Sequence, residues 1–203
     1  MTLPYQSTVF IIDDDDGFRE SVHWLLQAEN ISTCGYSSAR TFLDTYNNET
    51  GCILLDVRMP DINGLAALKL IREKNINMPV IMISGHGDIP IAVRAMKQGA
   101  QDFIEKPFDD EHLIRVINQC LCQAGEISEH ESQLARVQRH FDSLSRREKQ
   151  VMQLVVSGLS NKEVAETLEI SPKTVEVHRS RVMRKMDCDN LAILVQKSAL
   201  LKN

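Results

Sequence analysis

The chain has 203 residues, of which 43% are apolar, and this length leaves room for two small domains with separate cores. It contains no run of 18 apolar residues and no basic-plus-apolar leader at its start, so we expect neither a transmembrane helix nor a signal peptide and predict a cytoplasmic protein. The net charge of −5 is unevenly distributed along the chain. Residues 1–125 carry 10 Lys and Arg against 17 Asp and Glu, whereas residues 143–203 carry 11 Lys and Arg against 7 Asp and Glu. This asymmetry indicates a cation site in the first part and a nucleic-acid partner for the second.

Short apolar runs alternate with amphipathic stretches in the first half of the chain. The runs lie at residues 9–12, 33–36, 52–57, 80–84 and 102–106, and apolar residues at helical spacing lie between them. Five strands alternating with helices predict an α/β domain with a doubly wound, five-stranded parallel sheet of the flavodoxin-like type. Ligands of such sheets bind at the carboxyl ends of the strands.

From Asp109 onward the pattern is entirely helical. Gly125 and Glu131 interrupt its apolar seam, so we predict a helical linker rather than a coiled coil. Four short helices follow, starting at Ser145 with a capping box, at Asn161, at Ser171 with a proline in the first turn, and near Asn190. The expected organisation is an α/β domain at 1–122, a helical linker at 123–140 and an all-α domain at 141–203. Five cysteines without CxxC or zinc-like spacing are expected to be reduced packing residues.

Acidic residues follow two of the predicted strands. The run 13–16 is entirely Asp and comes directly after the first strand, Asp56 ends the third apolar run, and Lys106 ends the last. All three places lie at the carboxyl edge of a parallel sheet, so these side chains are predicted to meet there. Clustered carboxylates stay ionised only beside cations, and a lysine together with Mg²⁺ or another divalent ion such as Mn²⁺ would supply that charge.

The order Asp13-Asp14, Asp56, Ser84 and Lys106 resembles the receiver domain of two-component response regulators, and the segments around residues 54–65 and 84–108 are similar to the FixJ subfamily. The resemblance implies that Asp56 accepts a phosphoryl group with the help of Ser84 and Lys106, and that Phe103 is the switch aromatic. It also implies that a metal ion is held by Asp13, Asp14, Asp56 and the backbone carbonyl of Arg58. Phosphoryl transfer needs mainly positioning and charge neutralisation, which such a group supplies.

Three other interpretations use the same residues. An EF-hand is excluded because placing Gly17 at its sixth position puts Ile12 where the first acidic ligand belongs. A phosphatase similar to the haloacid dehalogenases would use Asp13 as its nucleophile and Asp15 as its acid, but Gly17 and Phe18 depart from the run expected there. A DNA-binding protein with a degenerate, phosphorylation-independent receiver is the third.

The segment 160–186 reads as two short helices joined by a tight turn. Together with 144–148, it resembles the LuxR-type helix-turn-helix, whose second helix enters the major groove of DNA. The residues predicted to contact DNA project from these helices. Lys173, Thr174, Glu176 and Arg179 are expected near bases and Lys162, Arg181 and Lys185 near phosphates, with His178 also in the set.

The two resemblances together imply a phosphorylation-dependent transcriptional regulator. Its expected partners are a sensor histidine kinase, double-stranded promoter DNA and RNA polymerase, with a homodimer forming on phosphorylation and no membrane partner. No enzymatic activity is expected beyond metal-assisted self-phosphorylation and self-dephosphorylation of Asp56. Phosphorylation is expected either to release the DNA-binding domain from an inhibitory contact or to create a receiver dimer.

Overall fold

The computed structural model describes residues 7–85 and 89–201. Residues 1–6 of the predicted α/β domain, residues 86–88 and residues 202–203 of the predicted all-α domain lie outside the described residues. The strands are β1 (Thr8–Ile12), β2 (Ser32–Tyr36), β3 (Gly51–Asp56), β4 (Val80–Ser84) and β5 (Asp102–Glu105). The helices are α1 (Asp16–Ala28), α2 (Ala39–Thr45), α3 (Gly64–Glu73), α4 (Ile89–Lys97), α5 (Asp110–Asp142), α6 (Arg146–Val156), α7 (Asn161–Leu168), α8 (Pro172–Lys185) and α9 (Leu191–Leu200).

The strands form one parallel sheet in the order β2-β1-β3-β4-β5. This is the doubly wound order in which the chain reverses direction across the sheet between β1 and β3. The predicted α/β fold and its five strands are therefore confirmed. The register pairs Ile12 with Leu55, and Asp56 with Ile83, so the last residues of β1, β3 and β4 lie at one edge.

Each face of the sheet packs against its own set of helices. In β3, Ile53 and Leu55 belong to the core that includes α2 and α3, whereas Cys52 and Leu54 belong to the core that includes α1 and α5. All six residues of β3 are buried, as expected for a central strand covered on both faces. Because β3 is packed on both faces, the position of Asp56 at its carboxyl end is well defined.

Helix α5 is continuous over 33 residues, so the predicted linker is the second part of the helix that closes the α/β domain. Contacts divide the chain into two compact units, residues 1–128 and 129–203. The second unit has its own core, in which Val137 from the end of α5 packs with Val151, Val164 and Val182 from α6, α7 and α8. No described helix has both the length and the apolar character that crossing a bilayer requires.

Candidate functional site

The side chains of Asp13, Asp56 and Lys106 meet at the carboxyl edge of the sheet. The Lys106 ammonium donates to Asp13 Oδ2 at 2.6 Å and to Asp56 Oδ1 at 3.0 Å. Asp13 and Asp56 are buried, and Lys106 is half-buried. The structure therefore brings together three of the predicted site residues. Lys106 lies 93 positions after Asp13 and 50 positions after Asp56 in the chain.

Main-chain groups fix both carboxylates. The backbone N–H of Asp15 donates to Asp13 Oδ1 at 2.9 Å, and that of Arg58 donates to Asp56 Oδ2 at 2.5 Å. Helix α3 starts at Gly64, close to the main chain of Asp56. A Cβ at Gly64 would overlap the Asp56 carbonyl, so only glycine fits there. The remaining oxygen of each carboxylate faces the same ammonium, so the pair is held in a defined orientation.

Burial and the charge of Lys106 have opposite effects on the pKa of Asp56. Burial raises the pKa of Asp56 above its ordinary value, although hydrogen bonding and attraction from Lys106 act to lower it. Burial would by itself lower the pKa of Lys106, but its hydrogen bonds to Asp13 and Asp56 outweigh that effect and raise it. A buried carboxylate beside a firmly charged ammonium is the arrangement expected of a group with a chemical role.

The three acidic residues of the predicted metal site differ in exposure, since Asp13 and Asp56 are buried and Asp14 is not. Asp14 is exposed and lines a cavity of about 570 Å³ with Arg58, Met59 and Asn63, and the described residues contain no group of three Asp, Glu, His or Cys side chains placed to hold a metal. Lys106 bridges Asp13 and Asp56. The oxygens of this pair nevertheless fit Mg²⁺, which binds through one or two carboxylates and keeps several water ligands.

The predicted switch residues lie on the neighbouring strands. Ser84 ends β4 and is fully buried, and its carbonyl accepts the backbone N–H of Lys106 at 2.7 Å. Phe103 in β5 is half-buried and packs against the core shared with α2 and α3, opposite Met82 in the register. Ser84 is therefore adjacent to Lys106 at the edge of the sheet, while Phe103 lies two residues before Glu105, the last residue of β5.

Two residues of α1 that the sequence analysis did not identify contact this site. Arg19 donates to the main-chain carbonyl of Asp13 at 2.6 Å and forms an ion pair with Asp16. The Lys106 ammonium lies 3.6 Å from the centroid of the Phe18 ring. The spacing of Asp16 and Arg19 at i and i+3 on a predicted helix signals their ion pair, whereas no sequence pattern signals the other two contacts.

In the second unit, α7 and α8 form the predicted helix-turn-helix. Ser145 and Ser160 start α6 and α7 with capping boxes, and Ser171 caps α8 ahead of Pro172. The turn between α7 and α8 contains Glu169 in the left-handed conformation, with φ of 54°. The predicted starts of these helices are thus confirmed, and α8 presents its outer face to solvent.

The residues predicted to contact DNA divide into exposed and internally bonded ones. Lys162, Lys173, Glu176 and Arg181 are exposed, and Lys173 pairs with Glu176 at 3.1 Å. The others are half-buried: the Thr174 hydroxyl bonds to Ser171, Arg179 donates to Asn161 at 2.9 Å, and His178 Nδ1 is buried without a hydrogen-bond partner among the described residues. Only the exposed group has its charges on the open surface.

Lys185 has a partner inside its own domain. Its ammonium donates to Glu148 Oε2 at 2.7 Å and to the Ser143 carbonyl at 3.1 Å. Glu148 is buried, and its hydrogen bond to Lys185 is the main reason that the pKa of Glu148 is lowered to about 2. Much of the Lys185 charge is therefore used to hold α8 against α6.

Comparison with known proteins matches both parts of the chain. Residues 9–118 match the response regulator receiver domain family, and residues 142–198 match the luxR family of bacterial regulatory proteins. The transcriptional regulatory protein FixJ of Azorhizobium caulinodans is 44% identical over 98% of the chain and 94% of its own length. The response regulator protein TodT of Pseudomonas putida is 40% identical over 97% of the chain and 87% of its own length.

Solved structures of response regulators are similar to this chain over nearly its whole length. The response regulator StyR matches with a TM-score of 0.89 and 37% identity, covering 96% of the chain and 99% of StyR. Full-length FixJ from B. japonicum matches with a TM-score of 0.57 and 38% identity, covering 97% of each chain.

Proposed function

The chain belongs to the FixJ-like response regulators, which makes it a phosphorylation-dependent transcriptional regulator, and on that premise we propose that Asp56 is its phosphoacceptor. The observation that carries this assignment is the buried Asp56 carboxylate at the end of β3, 3.0 Å from the Lys106 ammonium. Asp13 shares that ammonium, and a main-chain N–H holds the other oxygen of each carboxylate.

The chemistry follows from this geometry. An Asp56 oxygen attacks the phosphorus of a phosphohistidine on a sensor kinase, so that a P–O bond forms while the P–N bond of the donor breaks. Lys106 pairs with a phosphoryl oxygen, and the Ser84 hydroxyl donates to another. Small phosphoryl donors and water enter the same site, which gives self-phosphorylation and self-dephosphorylation.

A divalent ion, Mg²⁺ or Mn²⁺, completes the proposed site. Asp13, Asp14, Asp56 and the Arg58 carbonyl would hold it, and when bound it would neutralise charge on the phosphoryl group. Asp14 and Arg58 both line the cavity at this edge, which supports their place in the set. Phosphorylation adds about −1.5 to −2 charge; Ser84 and Phe103 move in response and change the receiver surface.

For the second domain we propose that α8 binds the major groove of promoter DNA. Lys173 and Glu176 lie exposed in its first turns, near bases, whereas Lys162 and Arg181 contact phosphates. Thr174, His178, Arg179 and Lys185 complete the predicted set. DNA as the ligand implies a cytoplasmic location and RNA polymerase as a further partner.

We also propose that phosphorylation produces a homodimer through α4. Ile89, Val93 and Met96 are 75%, 47% and 48% exposed, and their spacing places them on one side of the helix. A two-fold dimer presents two recognition helices to a two-fold operator. Release from an inhibitory contact is the competing mechanism.

Phosphoryl labelling tests the assignment. Full-length protein is treated with acetyl phosphate, digested and analysed by mass spectrometry, with Asp56→Asn and Asp13→Asn in parallel. We expect label on Asp56 in the wild type and none in Asp56→Asn. Label on Asp13 would favour the phosphatase-like reading, and an unlabelled wild type that still binds its promoter would favour the degenerate receiver.

A further inference from the structure

The aromatic ring of Phe18 lies directly against the Lys106 ammonium. The distance from Lys106 Nζ to the ring centroid is 3.6 Å, well inside the range of about 6 Å in which a cation interacts with an aromatic face. The same ammonium donates to Asp13 and Asp56. Two carboxylates and one aromatic face therefore surround a single cation.

Phe18 is itself held in place from two directions. Its backbone N–H donates to the Asp15 carboxylate at 3.1 Å, the cap that starts α1. Its ring meets that of Phe108 edge to face, with centroids 6.0 Å apart and planes at 83°, a favourable arrangement for two aromatic rings. The acidic loop and the segment after β5 thus both determine where this ring lies.

We propose that Phe18 is a positioning residue for Lys106, whose aromatic face holds the ammonium against Asp56 in the orientation that phosphoryl transfer uses. This role rests on the proposed function of Asp56. Phe18 does not touch the phosphoryl group; it acts only through Lys106.

The physical basis lies in the donors of the ammonium. Lysine has three N–H donors on a flexible stem, and Asp13 and Asp56 occupy two of them. An aromatic face attracts the positive charge without neutralising it as a third carboxylate would, so the ammonium remains available to a phosphoryl oxygen. An aliphatic side chain of similar size would keep the packing but lose this attraction.

Nuclear magnetic resonance of the full-length protein labelled at lysine Cε tests the contact itself. A ring this close shifts the Lys106 signal upfield, and the signal is assigned by its loss in Lys106→Arg. We expect the shift in the wild type and in Phe18→Tyr, which keeps an aromatic face, and its loss in Phe18→Leu. An upfield Lys106 signal that persists in Phe18→Leu would refute the contact.

The rate of labelling by acetyl phosphate tests the role. We expect Phe18→Leu to label Asp56 about fivefold more slowly, the effect of losing one partly buried cation–π contact, and Phe18→Tyr to retain the wild-type rate. The matched control is Phe141→Leu, which removes the ring from a second cation–π contact with Lys149, at 4.4 Å in the other unit, and should leave labelling unchanged.

The outcomes separate the two proposals. A Phe18→Leu protein that loses the upfield shift but labels at the wild-type rate, or a Phe18→Tyr protein that labels as slowly as Phe18→Leu, shows that the ring only packs and overturns the positioning role. A wild type that carries no label on Asp56 overturns the function of Asp56 and, with it, the positioning role, while the upfield shift still reports whether the contact exists.

Discussion

Asp56 combines burial with charge, and this combination has a consequence for stability. Its pKa is raised, with burial as the main cause, so the folded state disfavours the ionised form relative to the unfolded chain. A raised pKa means that this group favours folding at low pH and that the contribution is lost as the pH rises through the pKa of the folded state. At neutral pH, the ionised Asp56 therefore costs stability.

Replacing Asp56 by Asn removes this charge while preserving the shape of the side chain. We expect the receiver to gain stability at pH 7, because the cost of burying the charge is removed and Lys106 keeps Asp13 as a partner, although labelling is abolished. The gain should vanish below the ordinary Asp pKa of 3.8. Denaturant unfolding at several pH values, followed by the fluorescence of the single tryptophan, Trp24, measures it. A less stable variant at pH 7 would mean that attraction to Lys106 exceeds the cost of burial.

Arg19 contacts both ends of the acidic segment 13–16. Its guanidinium donates to the Asp13 carbonyl and pairs with Asp16, so it sets the path of the chain that carries the proposed metal ligands. Arg19→Gln should lower Mg²⁺ affinity about tenfold, a typical effect of losing a group that orients metal ligands, with the fold intact. Isothermal titration calorimetry with Mg²⁺ measures the affinity, and Arg40→Gln, at an exposed position in α2, controls for the lost charge. Equal affinities in both variants would exclude this role.

At the scale of elements, α8 is joined to α6 by the pair of Lys185 and Glu148. Glu148 is buried, and its lowered pKa of about 2 means that the pair stabilises the domain above the ordinary Glu pKa of 4.5 and loses this effect as the pH falls towards 2. Lys185→Gln should cost about 2 kcal/mol, the value of a hydrogen bond to a charged group, and should weaken the pH dependence between 4.5 and 2. Hydrogen exchange of peptides from α6 and α8 in the full-length protein measures both. Unchanged protection would show that the pair contributes little.

The same pair alters what Lys185 is expected to do on DNA. A lysine that contacts a phosphate contributes about 0.9 to the slope of log affinity against log salt. Because the Lys185 ammonium is bonded to Glu148 and Ser143, we expect Lys185→Gln to leave this slope nearly unchanged. Arg181→Gln, at an exposed position of the same helix, should lower its magnitude by about 0.9. A lowered slope in Lys185→Gln would restore its predicted phosphate contact.

The sequence patterns predicted the elements well because their signals are local. Alternating apolar runs located all five strands to within one residue at each end, and serine caps marked the starts of α6 and α8. The carboxyl-edge argument also brought Asp13, Asp56 and Lys106 together from distant parts of the chain. The patterns did not reveal the contact of Phe18 with Lys106 or that of Lys185 with Glu148, since these depend on how side chains of separate elements pack.

At the scale of the whole molecule, the uneven charge matches the two proposed partners. The acidic receiver would carry the proposed cation site, and the basic C-terminal part suits DNA, whose phosphates attract it without regard to sequence. The long α5 belongs to both units. If Asp56 is the phosphoacceptor as proposed, its signal has two routes to DNA, along the chain or by a change in assembly. The exposed apolar face of α4 supports the second route.

Sedimentation velocity with beryllofluoride as a phosphoryl mimic distinguishes these routes. If phosphorylation drives dimerisation through α4, the mass of the full-length protein should double on addition of the mimic with Mg²⁺. Val93→Glu, which places a charge in the apolar face, should stay monomeric, although Asp56 still accepts label. The matched variant Trp24→Glu places the same charge at a 68% exposed position of α1 and should dimerise normally. A wild type that remains monomeric with the mimic but binds promoter DNA more tightly would instead establish release from an inhibitory contact, because the affinity then changes without a second chain.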